Sequence, residues 1–327
     1  MTPDSVYERD ASSSDREFEL SLRPKRLAEF VGQRAVVENL SIYIQAAKKR
    51  AEALDHILFS GMPGLGKTTL ANLISTELGV NMHASSGPAL ERAGDLVGLL
   101  TNLEQGDVLF IDEIHRLPAP VEEFLYSAME DFHVDIQIDQ GPAARSVRVN
   151  LKHFTLVGAT TREGMLSAPF RSRFGVLERL DPYPAEDILL IVQRSAKLLD
   201  LPIDLPAAEL ISRRSRGTPR VANRILRRLR DVAQVRGKGK LTVALAEQGL
   251  VMLGIDTHGL TELDRRILKL IADQGGGPIG LKTIAVAVGE EEDTIEDTYE
   301  PHLIREGLLQ KTPRGRKLTD KAQALIK

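Results

Sequence analysis

At 327 residues, with 42% hydrophobic and 27% charged side chains, the chain has the make-up of an ordinary globular protein of two or three domains. The absence of cysteine excludes a disulfide framework and thiolate metal sites, and no apolar run approaches the roughly 18 residues needed to span a membrane. A net charge of -3 excludes binding to nucleic acid through total charge, so local patches decide the partners.

The first 17 residues are rich in Ser, Asp and Glu and predict a disordered tail. They lack the charged-then-apolar pattern of a secretory signal, so a cytoplasmic location is expected. From Phe18 the chain reads SLRPKRLAEFVGQ, with an apolar cluster at Leu27, Phe30 and Val31, and then predicts a helix from Ala35 to Leu54. Short apolar runs then alternate with helical stretches. The runs are His56–Phe59, Val80–Ala84, Val108–Ile111 and Phe154–Gly158; the helices are Lys67–Leu78, Leu90–Leu99 and Val121–Met129. That alternation predicts a parallel sheet with helices on both faces.

Gly61-Met-Pro-Gly-Leu-Gly66-Lys67-Thr68 fits the GxxxxGK[ST] phosphate loop, with an apolar strand before it and a helix after it. Gly64 and Gly66 let backbone N–H groups approach the phosphates, Lys67 supplies charge to them, and Thr68 offers a hydroxyl to Mg²⁺. Val108-Leu-Phe-Ile-Asp112-Glu113 is an apolar strand ending in two carboxylates. Asp112 suits the metal's water shell, and Glu113 suits polarising an attacking water. The next strand ends at Thr160-Thr161, where a hydroxyl could serve the γ-phosphate or cap the strand. In the loop beyond it, the spacing of Arg171 and Arg173 suggests an arginine finger reaching the nucleotide of a neighbouring subunit.

Past Asp181 the strand signal stops, and helices at Glu186–Leu199, Ala207–Arg214 and Thr218–Val235 predict a small all-α domain over 182–255. Gly217-Thr-Pro219-Arg220 opens its arginine-rich helix, and Arg220 is expected to point toward the phosphates. The neighbouring arginines read as a solvated or intersubunit face, with DNA contact the minority reading. Over 256–327, three helices precede a short ribbon turning at Pro313–Gly315, the pattern of a winged helix. Its third helix carries Asp293, Glu296, Asp297 and Glu300, which phosphates would repel. Lys311, Arg314, Arg316 and Lys317 on the wing suit phosphate contact without sequence reading. Between the Asp112-Glu113 strand and Thr161, residues 132–149 predict a hairpin. Val134, Ile136 and Ile138 form an apolar face that either packs on its own domain or projects toward a partner.

Taken together, SLRPKRLAEFVGQ, GMPGLGKTT, LFIDEIHRL, GPAARSVRVN, TLVGATTR, RSRFG, RGTPRVANR and DTIEDTYEPHLIREGLLQKTPRGR resemble the RuvB family of AAA+ ATPases, from about Phe18 to the C-terminus. The resemblance implies three parts: an α/β AAA+ P-loop domain over 18–181, a small all-α lid over 182–255, and a C-terminal winged helix over 256–327. It implies an ATP- and Mg²⁺-dependent bacterial homohexamer encircling duplex arms of a Holliday junction, with RuvA as the hairpin's partner and RuvC as the resolving nuclease. Lys67, Thr68 and Thr69 would hold phosphates, Asp112 and Glu113 would be the Walker B pair, Thr161 the sensor hydroxyl and Arg173 the trans finger, with Arg171 nearby. Arg220 would be the lid sensor. Leu22, Arg23 and Tyr183 would line the adenine side, and Glu130, Asp131 and Phe132 would contribute from the ring interface. Met62, Phe170 and Glu292 depart from the family pattern. Glu292 is expected to weaken DNA grip slightly. A clamp-loader-like switch would share the first motifs but not the winged helix. An ATP-gated transcription regulator would need a basic reading helix.

Overall fold

The computed structural model describes residues 13–137 and 146–326. Close packing divides the chain into two compact units. One holds residues 23–61 and 65–181, and the other holds the N-terminal helix, residues 62–64 and the chain from 182 onward.

In the first unit, α2 (Arg34–Arg50) precedes β1 (Ile57–Ser60), α3 (Lys67–Leu78), β2 (Met82–Ser86), α4 (Ala93–Thr101), β3 (Val108–Asp112) and α5 (Ala119–Glu130). A hairpin of β4 (His133–Gln137) and β5 (Ser146–Asn150) follows, then β6 (Thr155–Thr160), α6 (Ala168–Arg171) and β7 (Val176–Arg179). The five long-range strands form a parallel sheet in the order β2-β3-β6-β1-β7. Alternate strand residues face opposite sides. Leu58, Leu109, Ile111 and Leu156 join a core with Leu96 and Leu100 of α4 and Val121 and Leu125 of α5. Helices cover both faces, and α3 packs on β3 and β6. The register pairs Ser86 with Asp112 and Ser60 with Thr160, so the strand ends that carry chemistry reach the same edge of the sheet. Strand β7, which periodicity did not reveal, pairs with β1 and completes the sheet.

The second unit begins with α1 (Ser13–Ser21) and continues with α7 (Ala185–Leu198), α8 (Leu205–Arg214), α9 (Pro219–Arg236) and α10 (Val243–Met252). The expectation of disorder through residue 17 is corrected for residues 13–17, which are helical, while the first twelve lie outside the described residues. Part of the arginine face of α9 is covered by α1. Arg220 and Arg224 pair with Glu19 at 3.3 and 3.2 Å, and Arg227 lies over the Phe18 ring at 4.8 Å.

Helices α11 (Glu262–Asp273) and α12 (Leu281–Val288), a third helix and a β-ribbon complete this unit. The third helix runs through α13 (Glu292–Thr294), a π turn (Ile295–Tyr299) and α14 (Glu300–Arg305). The ribbon is β8 (Leu309–Thr312) with β9 (Gly315–Leu318), followed by α15 (Asp320–Ile326). Ile267, Ile271, Ile284, Ile295, Tyr299 and Leu303 bind the three helices into one core. None of the described helices is long and apolar enough to cross a membrane.

A buried polar cluster joins the α8–α9 turn to this winged helix. Arg216, at positive φ (56°), donates to Gly259 O at 3.1 and 2.9 Å and pairs with Asp264, which is fully buried. Asp264 Oδ2 also accepts from Thr261 N at 2.7 Å, capping α11, and Arg305 donates to Arg216 O at 2.7 Å. His302 is 4% exposed with no partner at Nε2, and burial, then Arg216 and Arg305, push its pKa down to about 2. Its folded value lies below the unfolded one, so the neutral ring's contribution is complete above the unfolded pKa and is lost as pH falls beneath it. Acidification from about pH 7 to about pH 5 should therefore remove about 2 kcal/mol of unfolding free energy, and His302→Gln should flatten that slope. Denaturant titrations at the two pH values check it; an unchanged slope in the variant would refute the assignment.

Candidate nucleotide and DNA sites

The phosphate loop leaves β1 with its glycines in conformations that side chains resist, at φ 141° for Gly61, 80° for Gly64 and 107° for Gly66. A Cβ on Gly61 would lie 2.4 Å from Leu180 O, so a second constraint keeps that position bare. Gly66 caps α3, whose first residue, Lys67, is 7% exposed and donates from Nζ to Gly61 O at 2.7 Å. A lysine drawn across a glycine loop at a helix N-terminus is a cradle that fits phosphate oxygens. Thr68 and Thr69 follow in the first turn of α3.

Asp112 ends β3, and its Oδ1 accepts from Glu113 N at 3.0 Å. Thr68 and Asp112 supply a hydroxyl and a carboxylate, hard donors that suit Mg²⁺. Among the described residues no cluster of three or more His, Cys, Asp or Glu could hold a metal, so phosphate and water would complete its shell. Glu113 adopts a left-handed conformation (φ 49°, ψ 44°), costly for a side chain and held by its surroundings. Its carbonyl approaches Gly87 so closely that a Cβ there would lie 2.4 Å away. Gly87→Ala should therefore displace Glu113 and lower ATP turnover roughly tenfold or more. Normal turnover in a folded Gly87→Ala protein would contradict this.

Thr161 Oγ1 lies 3.4 Å from Glu113 Oε2, so the two residues meet just beyond the ends of neighbouring strands. Arg171 is exposed and pairs loosely with Glu163 at 3.6 Å. Arg173 donates to Pro169 O at 2.6 Å and to Glu130 at 3.1 Å, and its guanidinium sits 4.3 Å from the Tyr126 ring centroid. Its buried Nε has no partner. Glu130 is therefore engaged by Arg173 of its own chain. Asp131 caps α5, and Phe132 (φ 50°) is committed to an aromatic cluster with His153 at 4.0 Å and Phe154 at 5.8 Å. That packing fixes the Phe132 ring while leaving the residue partly exposed.

Of the other residues assigned to nucleotide, Arg23 lies in the sheet unit, while Leu22, Gly64, Tyr183 and Arg220 lie in the helical unit. Leu22 and Tyr183 are buried at 3% and 6% exposure, and Tyr183 N donates to Gly217 O at 2.9 Å. Arg220 N approaches Gly64 O at 3.4 Å within that unit.

On the hairpin, Val134 is buried, and Ile136 and Val149 pack against the sheet's core. Val147, paired with Ile136, is 43% exposed, so the base packs at home while apolar surface emerges farther out. Ile138 lies outside the described residues.

The wing departs from expectation at Arg316. It is 8% exposed and forms a double hydrogen bond with buried Glu300, at 2.5 and 3.1 Å. A guanidinium committed in this way has fewer N–H groups left for a phosphate than a free one. Lys311 shares its ammonium with Glu296 at 2.5 Å, while Arg314 and Lys317 are exposed. The acidic helix is thus partly neutralised by its own wing.

Sequence reasoning passed over His115, Tyr126, Gly87 and Arg216, because each meets at least one partner remote in sequence (Thr160, Arg173, Glu113 and Asp264) and no spacing marks these meetings.

Three family profiles cover nearly the whole chain: the Holliday junction DNA helicase RuvB P-loop domain over 22–180, the RuvB AAA lid domain over 183–256, and the RuvB C-terminal winged helix domain over 257–327. The Holliday junction branch migration complex subunit RuvB of Myxococcus xanthus is 58% identical over 319 residues, covering 97% of this chain and 93% of its own. The protein of the same name from Flavobacterium psychrophilum is 57% identical over 307 residues, covering 94% and 90%. The solved structure of the Thermotoga maritima RuvB Holliday junction branch migration motor superposes with a TM-score of 0.85 at 49% identity, covering 94% of this chain and 98% of that one. The chain belongs to the RuvB family of P-loop AAA+ ATPases.

Proposed function

We propose that the chain is an ATP-driven motor for branch migration of Holliday junctions, working as a homohexameric ring around duplex arms in recombination and repair. The observation that carries this reading is the gathering of Lys67, Asp112-Glu113 and Thr160-Thr161 at one sheet edge in a chain that also bears a winged helix. The reading gives each residue one task. The phosphate loop and Lys67 bind and orient the phosphates, and Thr68 and Asp112 would hold Mg²⁺, which would supply charge neutralisation. Glu113 accepts the proton of the attacking water, Thr161 orients it, and Arg173 reaches a neighbouring protomer's nucleotide, with Arg171 close by. Arg220 reads nucleotide state for the lid. The wing, through Lys311, Arg314, Arg316 and Lys317, touches phosphates of any sequence.

The exposed outer part of the hairpin, around Val147, suits docking on RuvA, with RuvC joining to resolve the junction in the bacterial cytoplasm. A synthetic four-way junction should be dissociated into duplex arms only with ATP, Mg²⁺ and RuvA present. A Val147→Asp protein should keep its ATPase and lose the response to RuvA. Full RuvA stimulation in that variant would remove the hairpin from the partner surface. A protein that hydrolyses ATP yet never moves the junction would favour the clamp-loader-like reading.

A further inference from the structure

Glu113 follows β3 in a left-handed conformation, so the regular strand geometry does not set the direction of its side chain. Its neighbours do. Thr161 Oγ1 at 3.4 Å and His115 Nε2 at 3.5 Å approach the same oxygen, Oε2. Both distances are long, as catalytic hydrogen bonds commonly are before substrate binds. The His115 side chain is only 5% exposed, and its Nδ1 lies 2.9 Å from Thr160 Oγ1. That hydroxyl also accepts from Arg162 N at 3.0 Å, which leaves its own proton free to donate to the ring.

In the neutral imidazole, one tautomer sets a nitrogen lone pair against the carboxylate, while the other presents Nε2–H to it. The second serves both of these neighbours: Thr160 O–H donates to Nδ1, and Nε2–H donates to Glu113 Oε2. We propose that His115, held by Thr160, is the positioning residue that pins the Glu113 carboxylate for the hydrolytic step. The chain of bonds ties the end of β6, where Thr161 stands, to the end of β3. A shift of either strand end is then felt by the carboxylate. This rests on the reading of Glu113 as the water-activating carboxylate.

The test is steady-state ATPase of the full-length protein with duplex DNA, alongside equilibrium binding of a fluorescent ADP. His115→Ala should lower kcat about 10- to 100-fold, with KM and ADP affinity within about twofold of the original protein. His115→Gln, whose amide reaches Glu113 as a donor, should recover most of that loss. Thr160→Val, nearly isosteric, should show the same kcat-only defect in milder form, and it decides the matter should His115→Ala not fold. In a Glu113→Gln background, His115→Ala should change the residual rate no further. Wild-type turnover in folded His115→Ala or in Thr160→Val, or a loss confined to KM, overturns the role of His115. Wild-type turnover in Glu113→Gln overturns the reading of Glu113 itself, whatever His115 does.

Discussion

Arg173→Ala and Lys67→Ala proteins, each nearly inactive alone, should recover part of the ATPase activity when mixed before assembly. A trans finger is worth on the order of 10³-fold or more in rate, and loss of the phosphate-loop lysine removes charge from the site itself. In a mixed ring some interfaces pair an intact Lys67 site with an intact Arg173, and those alone turn over. Arg173 carries its positive charge on a guanidinium held by Pro169 O, Glu130 and the Tyr126 ring of its own subunit. If Arg173 is the finger, the exposed Glu130 is a partner it would have to leave on reaching a neighbour's nucleotide. Activity in the mixture equal to the sum of its parts would place the finger in cis. Full activity of Arg173→Ala with DNA and RuvA present would remove it from catalysis altogether.

Arg216→Ala should destabilise the helical unit by about 3–5 kcal/mol, because it strands the Asp264 carboxylate in a buried site. The pair is not itself a strong source of stability, since both charges lose water in forming it. Replacing both partners, as in Arg216→Met with Asp264→Leu, should therefore restore much of the loss. About 1 kcal/mol should stay missing, because Asp264 also caps α11 with Thr261. Urea unfolding of the single and double variants measures both effects. Equal stability of Arg216→Ala and the original protein would mean that water reaches the cluster and the charge was never stranded.

How much of this was legible beforehand depends on the range over which each feature is encoded. The phosphate loop, the carboxylates ending β3 and the order of the elements are written in contiguous runs, and so is the three-helix pattern before the wing. Strand β7 was not legible: Val-Leu-Glu-Arg is four residues long, Leu177 is 53% exposed, and one side of the strand has no neighbour in the sheet. Arg316 read as a surface cation because its neighbours are basic, yet its partner Glu300 stands 16 residues back on a helix. His115 and Thr160 lie 45 residues apart and meet only because β3 and β6 are adjacent in the sheet. The Phe132 ring contacts with His153 and Phe154 were likewise not legible, since both rings come from beyond the hairpin. Each miss is a pairing that tertiary structure makes and local periodicity does not record.

The internal neutralisation of the wing bears on how such a machine moves. Because Arg316 serves Glu300 and Lys311 leans on Glu296, two of the wing's four cations are partly offset, and the wing would hold a phosphate backbone less tightly than one with all four unpaired. A looser hold is more quickly undone, which is what a walker needs at every step. Persistence on the track then comes from several subunits engaged at once, where a released grip faces a backbone at high effective concentration. Firmness belongs to the ring, and nimbleness to each of its members.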